Sequence, residues 1–301
     1  MIDIFSALGY RLGAFGKTPD TVEVVRRAAV ENPWFLPQEI IRAVKVIRCE
    51  MLERQRLEAW AGAYPPVRTP KRVLVVMAGN IPLVGFFDLL CVLASGHACR
   101  VKPSSKDTVL IGYVVDLLRT IDPAIPLRMA EQGERPDAVI ATGSDNANRY
   151  FRMLFGGIPS LLRGSRQSVA VLSGRETAAE LSGLEEDIFA YSGLGCRNVS
   201  LLFLPRGYMP ELRCTALNEK YRRNYLRERA LLRMRRMPFV DLDGAVLCED
   251  RSFPAAHDDR LQCVVSQCVR HSRRVAFGRA QHPGLTDYAD DVDTMQFLGT
   301  I

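Results

Sequence analysis

Residues 72–102 read RVLVVMAGNIPLVGFFDLLCVLASGHACRVK. The β-branched run 72–77 suits a buried strand, and Ala78-Gly79-Asn80-Ile81-Pro82 is a turn punctuated by glycine and proline. An apolar helix is expected over 83–94. Ser95-Gly96 ends it, and a second short strand is expected over 97–102. Strand, turn, helix, strand is the unit of a parallel sheet with right-handed crossovers.

The same alternation continues. A helix is expected over 107–120, then a strand over 137–141. Thr142-Gly143-Ser144 turns into a helix carrying Arg149 and Tyr150, and a further buried strand spans 168–172. Repeated β-α alternation predicts an α/β protein with a Rossmann-type, doubly wound parallel sheet. No GxGxxG follows any of these strands, so the motif test leaves the cofactor undetermined. Before the sheet, 1–64 reads as helical. Ile40, Ile41, Val44, Ile47, Met51 and Leu52 recur at helical spacing, and Tyr64-Pro65-Pro66 breaks the run. After the sheet, helices are expected over 176–192 and 210–236, and a strand over 245–248. The weakly alternating tail 292–298 reads as an edge strand. Three segments result: a helical 1–64, a nucleotide-binding domain over 65–175, and a smaller α/β catalytic domain over 176–301.

Residues 187–205, DIFAYSGLGCRNVSLLFLP, concentrate the chemistry. Gly193 and Gly195 free the backbone to present Cys196 at a tight bend. Arg197 puts a fixed positive charge nearby, which favours a thiolate. A thiolate on a loop with free amides around it suits attack on a carbonyl or thioester. Two readings stay open from the residues alone: a nucleophile, or one of eight cysteines filling a core.

Composition bounds the rest. With 48% hydrophobic and 25% charged residues in 301, the chain reads as one large or two moderate folded, soluble domains. The net charge of +6 comes from interspersed charges, with one basic cluster at 222–236. On a helix, Leu226, Leu231, Leu232 and Met234 would cover an apolar stripe and leave the arginines in solvent. That reads as a solvated face rather than a nucleic-acid patch. The cysteines form no CxxC pair and no ligand spacing, so no metal site is expected and free thiols in a reducing cytoplasm follow. No signal peptide and no membrane span is read in the sequence.

Four blocks carry a resemblance: AGNIPLVGFFDLLCVLASGH (78–97), KPSSKD (102–107), ATGSDNANRYF (141–151) and DIFAYSGLGCRNVS (187–200). Together, and from about Glu31-Asn32-Pro33-Trp34-Phe35 onward, they resemble the acyl-CoA reductase family that includes the fatty-acid reductase subunit of bacterial luminescence. That family is a branch of the aldehyde dehydrogenase superfamily. The resemblance implies an aldehyde-dehydrogenase-like fold and makes Cys196 the nucleophile. It places Asn80 where an asparagine side chain donates to the oxyanion, chemistry suited to a neutral amide. It implies that Lys102 holds the adenosine ribose or its 2′-phosphate, and that Gly143 and Ser144 bring a helix terminus to the pyrophosphate. Glu249, or Asp250 beside it, would hold the nicotinamide ribose.

One departure is informative. Where oxidising members carry Glu-Leu-Gly-Gly, whose glutamate activates water, this chain has Val171-Leu172-Ser173-Gly174. Valine is no base. The implied activity is therefore reduction of an acyl-CoA or acyl-carrier thioester to the aldehyde with NADPH, NADH being the alternative. Two other readings remain: a catalytically degenerate partner subunit beside an acyl transferase and a synthetase, or an aldehyde dehydrogenase working oxidatively. The stretch between Cys196 and Glu249 is short for the superfamily. A homo-oligomer is expected, with strand pairing through the tail.

Overall fold

The computed structural model of the chain describes residues 1–214, 218–249, 274–288 and 292–301. Its contacts divide into two units, Met1–Ser165 with Pro283–Ile301, and Arg166–His282.

The first unit is built on five strands: β1 (Arg72–Val76), β2 (Ala98–Lys102), β3 (Leu127–Met129), β4 (Ala138–Thr142) and β5 (Ser160–Arg163). Their spatial order is β3-β2-β1-β4-β5 and every pairing is parallel. This is the order of a doubly wound nucleotide-binding sheet, whose direction of winding reverses between β1 and β4. Val73, Val75 and all of Ala138, Val139, Ile140 and Ala141 are buried, as both faces are covered. The covering helices are α5 (Phe86–Ala94), α6 (Thr108–Ile121) and α7 (Asp145–Phe155), preceded by α1 (Ile2–Arg11), α2 (Pro19–Glu31), α3 (Pro37–Met51) and α4 (Arg54–Ala61). Phe86 and the run Asp88–Val92–Leu93 of α5 are buried almost all round, the pattern of a helix inside a core rather than on its surface. Its one charge, Asp88, is met by Arg163 at the end of β5, whose Nη1 lies 2.6 and 2.7 Å from the two carboxylate oxygens.

The second unit holds β6 (Ser168–Val171), α8 (Ala178–Phe189), a 3-10 turn (Ala190–Gly193), β7 (Val199–Phe203), α9 (Glu219–Met234), and the short antiparallel pair β8 (Val240–Asp241) and β9 (Val246–Leu247). β6 and β7 are parallel neighbours with α8 as their crossover. Thr177 and Glu180 cap α8 reciprocally: the Thr177 hydroxyl accepts from the Glu180 amide, and the Glu180 carboxylate accepts from the Thr177 amide at 2.8 Å.

Several expectations change. The tail is helix α10 (Thr294–Gly299), not an edge strand. The Asp293 side chain caps it by accepting from the Gln296 amide at 3.0 Å, and Thr294, Met295 and Leu298 turn inward at helical spacing. Strand pairing of subunits through 292–298 therefore loses its basis. β3 and β5 were not expected. The basic helix starts at Glu219, where the Asn218 side chain caps it, and it buries only Tyr225; Leu226 and Met234 lie exposed rather than in a covered stripe. The contact division also differs from the one drawn at 64/65 and 175/176. α1 and α2 pack on α6 within the first unit's core, and β6 pairs with β7 of the second. No helix among the described residues is long and apolar enough to cross a membrane.

Candidate active site

In the first unit the residues singled out by sequence gather at the carboxyl edge of the sheet. β1 continues one residue beyond its last pairing, the Met77 amide donating to the Lys102 carbonyl at 3.0 Å. The chain then turns through Gly79 and Asn80. Gly79 admits no side chain, because a Cβ there would stand 2.6 Å from Ser104 Oγ and 2.7 Å from Ser104 Cβ. Gly85 is as tightly placed, 2.3 Å from Met77 Cγ by the same measure. Asn80 and Lys102 are both exposed on this edge, one at the end of β1 and one at the end of β2.

Across the switch in winding, β4 ends at Thr142 and the Gly143 amide donates to the Arg163 carbonyl at 3.0 Å. A Cβ on Gly143 would lie 2.9 Å from Ala147 Cβ and 3.2 Å from Phe151, so only glycine lets α7 approach the strand end this closely. Ser144 caps α7, its Oγ accepting from the Ala147 amide at 3.3 Å. The Asp145 carboxylate is turned aside to the Ser165 amide at 3.0 Å. Ligands of doubly wound sheets bind at the carboxyl ends of the strands, beside the switch in winding, which is where α7 begins. These features fit the pyrophosphate of a dinucleotide, which a helix amino terminus stabilises through its amides and dipole.

In the second unit Cys196 is half-buried on the connection from α8 to β7. The turn that carries it is pinned by side chains of the same unit. Tyr191 (φ 53°), Ser192 (φ 56°) and Gly193 (φ 69°) make three successive left-handed residues after α8. Two of these are not glycine, a strain that the surrounding structure must hold. Asn198, 3% exposed, does much of that. Its Nδ2 donates to the carbonyls of Asp187 (3.1 Å), Ile188 (3.2 Å) and Ala190 (2.9 Å), and its Oδ1 accepts from the Gly195 amide at 2.8 Å. Ser168 of β6 donates from Oγ to the Cys196 carbonyl at 2.9 Å. The carboxyl end of α8 is anchored in turn. The Asp187 carboxylate, itself buried, accepts from the amides of Gly278 (2.8 Å) and Ala280 (3.0 Å). Burial pushes its carboxyl above the usual range, and the two amides oppose this.

Val171 is the last residue of β6 and 44% exposed. The carboxylate that follows in that turn, Glu176, is occupied: it accepts from Ser173 Oγ at 2.8 Å and from the Gly174 amide at 3.1 Å. Glu249 is exposed, two residues beyond β9, and Asp250 lies outside the described residues. Two of the four histidines are described. His97 is fully buried, its Nδ1 accepting from the Lys71 amide at 2.9 Å, so its Nε2 carries the proton and donates to the Leu298 carbonyl at 3.0 Å. His282 sits 3.1 Å from Glu186, while His257 and His271 lie outside the described residues. Among the described residues no group of three His, Cys, Asp or Glu side chains could hold a metal ion.

Asn80, Lys102, Gly143 and Ser144 thus share one edge of the first unit, and Cys196 and Glu249 belong to the second. Sequence reasoning missed Asn198 and Asp187 as supports of the cysteine turn. Both stand in the quoted 187–205 stretch, but Asp187 directly follows Glu185-Glu186 and Asn198 follows Arg197, so neither stood out from its polar neighbours.

No family model matches the chain, and no curated protein does. Solved structures do match. An aldehyde dehydrogenase from Bacillus cereus in complex with NAD+ is 14% identical over 82% of this chain and 60% of its own, with a TM-score of 0.58. A candidate aldehyde dehydrogenase from Burkholderia cenocepacia is 14% identical over 81% and 61%, with a TM-score of 0.57. An NAD-dependent benzaldehyde dehydrogenase from Corynebacterium glutamicum is 15% identical over 84% and 58%, with a TM-score of 0.52. The chain spans about three fifths of the length of each. These likenesses, with the parallel sheet and the helices that precede it, establish an aldehyde-dehydrogenase-like α/β fold.

Proposed function

We propose that the protein reduces an acyl-CoA or acyl-carrier thioester to the aldehyde with NADPH, NADH being the alternative, through an acyl-enzyme on Cys196. The observation that carries this reading is the way Cys196 is presented: a half-buried thiol on a turn whose strained backbone is pinned by Asn198 and Ser168. A core-filling cysteine has no use for such a turn.

Each step then falls to a residue of the chain. The Cys196 thiolate attacks the thioester carbonyl carbon, and the carbonyl oxygen takes up the charge. The resemblance assigns Asn80 Nδ2 and a backbone amide beside Cys196 as the donors that would meet that oxygen. As the tetrahedral centre collapses, the bond to the coenzyme A sulfur breaks and the thiol leaves with the proton Cys196 gave up. Gly143, Ser144 and the first turn of α7 would hold a dinucleotide's pyrophosphate, Lys102 its adenosine ribose or 2′-phosphate, and Glu249 its nicotinamide ribose. Bound there, a nicotinamide nucleotide supplies the hydride that takes the acyl group to the aldehyde level. Breaking of the carbon–sulfur bond then frees the aldehyde and restores the Cys196 thiolate. The likeness in fold to an enzyme solved with NAD+ and to an NAD-dependent one supports a nicotinamide partner.

Val171 favours reduction over oxidation, since no carboxylate stands there to activate water against the acyl-enzyme. An acyl transferase and a synthetase remain the partners proposed upstream of this step, and a homo-oligomer the proposed assembly. The test is aldehyde formation from acyl-CoA and NADPH, followed by nicotinamide absorbance and by trapping of the aldehyde. Turnover lost in Cys196→Ser supports the reading. Turnover unchanged in that variant, or none in the folded wild type with any chain length, refutes it and leaves the partner-subunit reading in front.

A further inference from the structure

The loop that carries Asn80 is gripped at both ends by buried polar side chains that the proposed chemistry does not use. On the amino side stands Asn32, 3% exposed, at the end of α2. Its Nδ2 donates to the Gly79 carbonyl at 3.1 Å. Its Oδ1 accepts from the Trp34 amide at 3.1 Å, so the amide plane is itself fixed. On the carboxyl side stands Asp107, 1% exposed, at the start of α6. Its Oδ2 accepts from the Leu83 amide at 2.8 Å. Leu83 has φ 57°, a left-handed conformation that a leucine adopts only when something holds it there.

The ordinary employment of an aspartate before a helix is to cap it. Asp107 makes no such bond. Glu31, beside Asn32, caps α6 instead, accepting from the Thr108 amide at 2.9 Å and the Val109 amide at 3.2 Å and from the Thr108 hydroxyl. Asp107 is thereby released to turn inward to Leu83, although its second oxygen is left buried without a partner among the described residues. A buried unpartnered oxygen is destabilising, so the arrangement calls for a return elsewhere. The return visible in the structure is a fixed Asn80 loop. The Ser104–Asp107 turn reinforces it, with Ser104 packed on Gly79 and its carbonyl accepting from the Asp107 amide at 3.1 Å.

We propose that Asp107 and Asn32 are positioning residues for Asn80, clamping its loop from both ends so that the amide donor is held where an oxyanion forms. The proposal rests on the reading of Asn80 as an oxyanion donor. It adds two residues, far apart in sequence, that act through the loop and touch neither substrate nor cofactor. Preorganised donors need no rearrangement at the moment of reaction, and a displacement on the order of 1 Å can lower a rate about a hundredfold.

Two readouts on the full chain test it. Hydrogen exchange of the backbone amides over 79–85 should quicken at least about tenfold in Asp107→Ala and in Asn32→Ala, the size of change that opening of a local segment produces. Asp107→Asn, which keeps an acceptor for Leu83, should stay within about threefold of wild type. Acylation of Cys196 by acyl-CoA should fall about a hundredfold in Asp107→Ala, as for loss of one oxyanion donor, while alkylation of Cys196 by iodoacetamide, which forms no oxyanion, stays unchanged. Asn80→Ala with Asp107→Ala should acylate no more slowly than Asn80→Ala alone. Unchanged exchange overturns the clamp, as does acylation at the wild-type rate in Asp107→Ala when Asn80→Ala is slow. If wild type accepts no acyl group, the functional reading falls, and exchange alone then decides the clamp. Asn32→Ala serves the same purpose where Asp107→Ala does not fold.

Discussion

Replacing Asp107 by asparagine should change how the stability of the protein depends on pH, and the structure fixes the sign. Burial pushes the Asp107 carboxyl from 3.8 up to about 8, the nearby Glu31 carboxylate adds to the rise, and the Leu83 amide opposes it. Between those two values the folded chain holds a proton that the unfolded chain has released. Unfolding free energy therefore falls with rising pH by about 1.4 kcal/mol per unit from this group alone. The contribution is fully present below about 3.8 and gone above about 8. Across the roughly four units between, the bound is about 6 kcal/mol, as large as the whole stability of a modest domain. Asparagine keeps the acceptor for Leu83 and has no charge to bury. The stability of Asp107→Asn minus that of wild type should therefore climb between pH 5 and 8 and level off above. Taking the difference cancels acids that titrate the other way, such as Asp137, which Arg72 holds down at about 2. Urea unfolding followed by tryptophan fluorescence suits the measurement, because Trp34 and Trp60 both lie in the first unit. Parallel curves for the two proteins, or a difference that falls with pH, would refute the reasoning.

Three further outcomes are expected. Arg163→Met takes the guanidinium away from the buried Asp88 carboxylate; a loss of about 3–5 kcal/mol follows, which in a unit of this size lowers the melting temperature by about 6–20 °C, and Asp88→Leu added to it should recover most of the loss. Asn198→Asp sets a carboxylate against the carbonyls of Asp187, Ile188 and Ala190, so it should be less stable than Asn198→Ala at pH 8, the gap closing in acid as the new carboxyl protonates and regains a donor. Equal stability of the two at every pH, by thermal denaturation, would count against the pinned turn. Lys102→Ala should raise KM for NADPH about tenfold more than KM for NADH if the lysine faces a 2′-phosphate; equal changes would remove it from that role.

The parallel sheet was legible where the chain announced it. The 72–77 run, the Gly-Pro turn and the apolar α5 sit within 31 contiguous residues, and each step obeys its own local rule. β3 and β5 escaped because Leu127-Arg128-Met129 and Ser160-Leu161-Leu162-Arg163 are too short and too mixed to alternate; only their neighbours in the sheet make them strands. The tail misled for the opposite reason, since a few alternating residues satisfied the strand period while Asp293 was setting a helix cap. Among the candidate site residues, Cys196, Asn80 and Gly143 were proposed from turn chemistry and blocks of resemblance. Their supports could not. Asn32 meets Gly79 across 47 residues, and Arg163 meets Asp88 across 75. Polar side chains become buried partners only once the fold has brought such distant segments together. The exposed face of α9 was misjudged likewise, since periodicity says which residues share a face and nothing of what lies against it.

The central claim is that Cys196 carries the acyl group. The most direct measurement is intact and peptide mass spectrometry after incubation with medium- and long-chain acyl-CoA, without nicotinamide. The expected result is a mass increase of one acyl group, mapped to Cys196 and discharged as aldehyde when NADPH is added. A folded protein that takes up no acyl group at any chain length, or takes it up on another residue, would contradict the account.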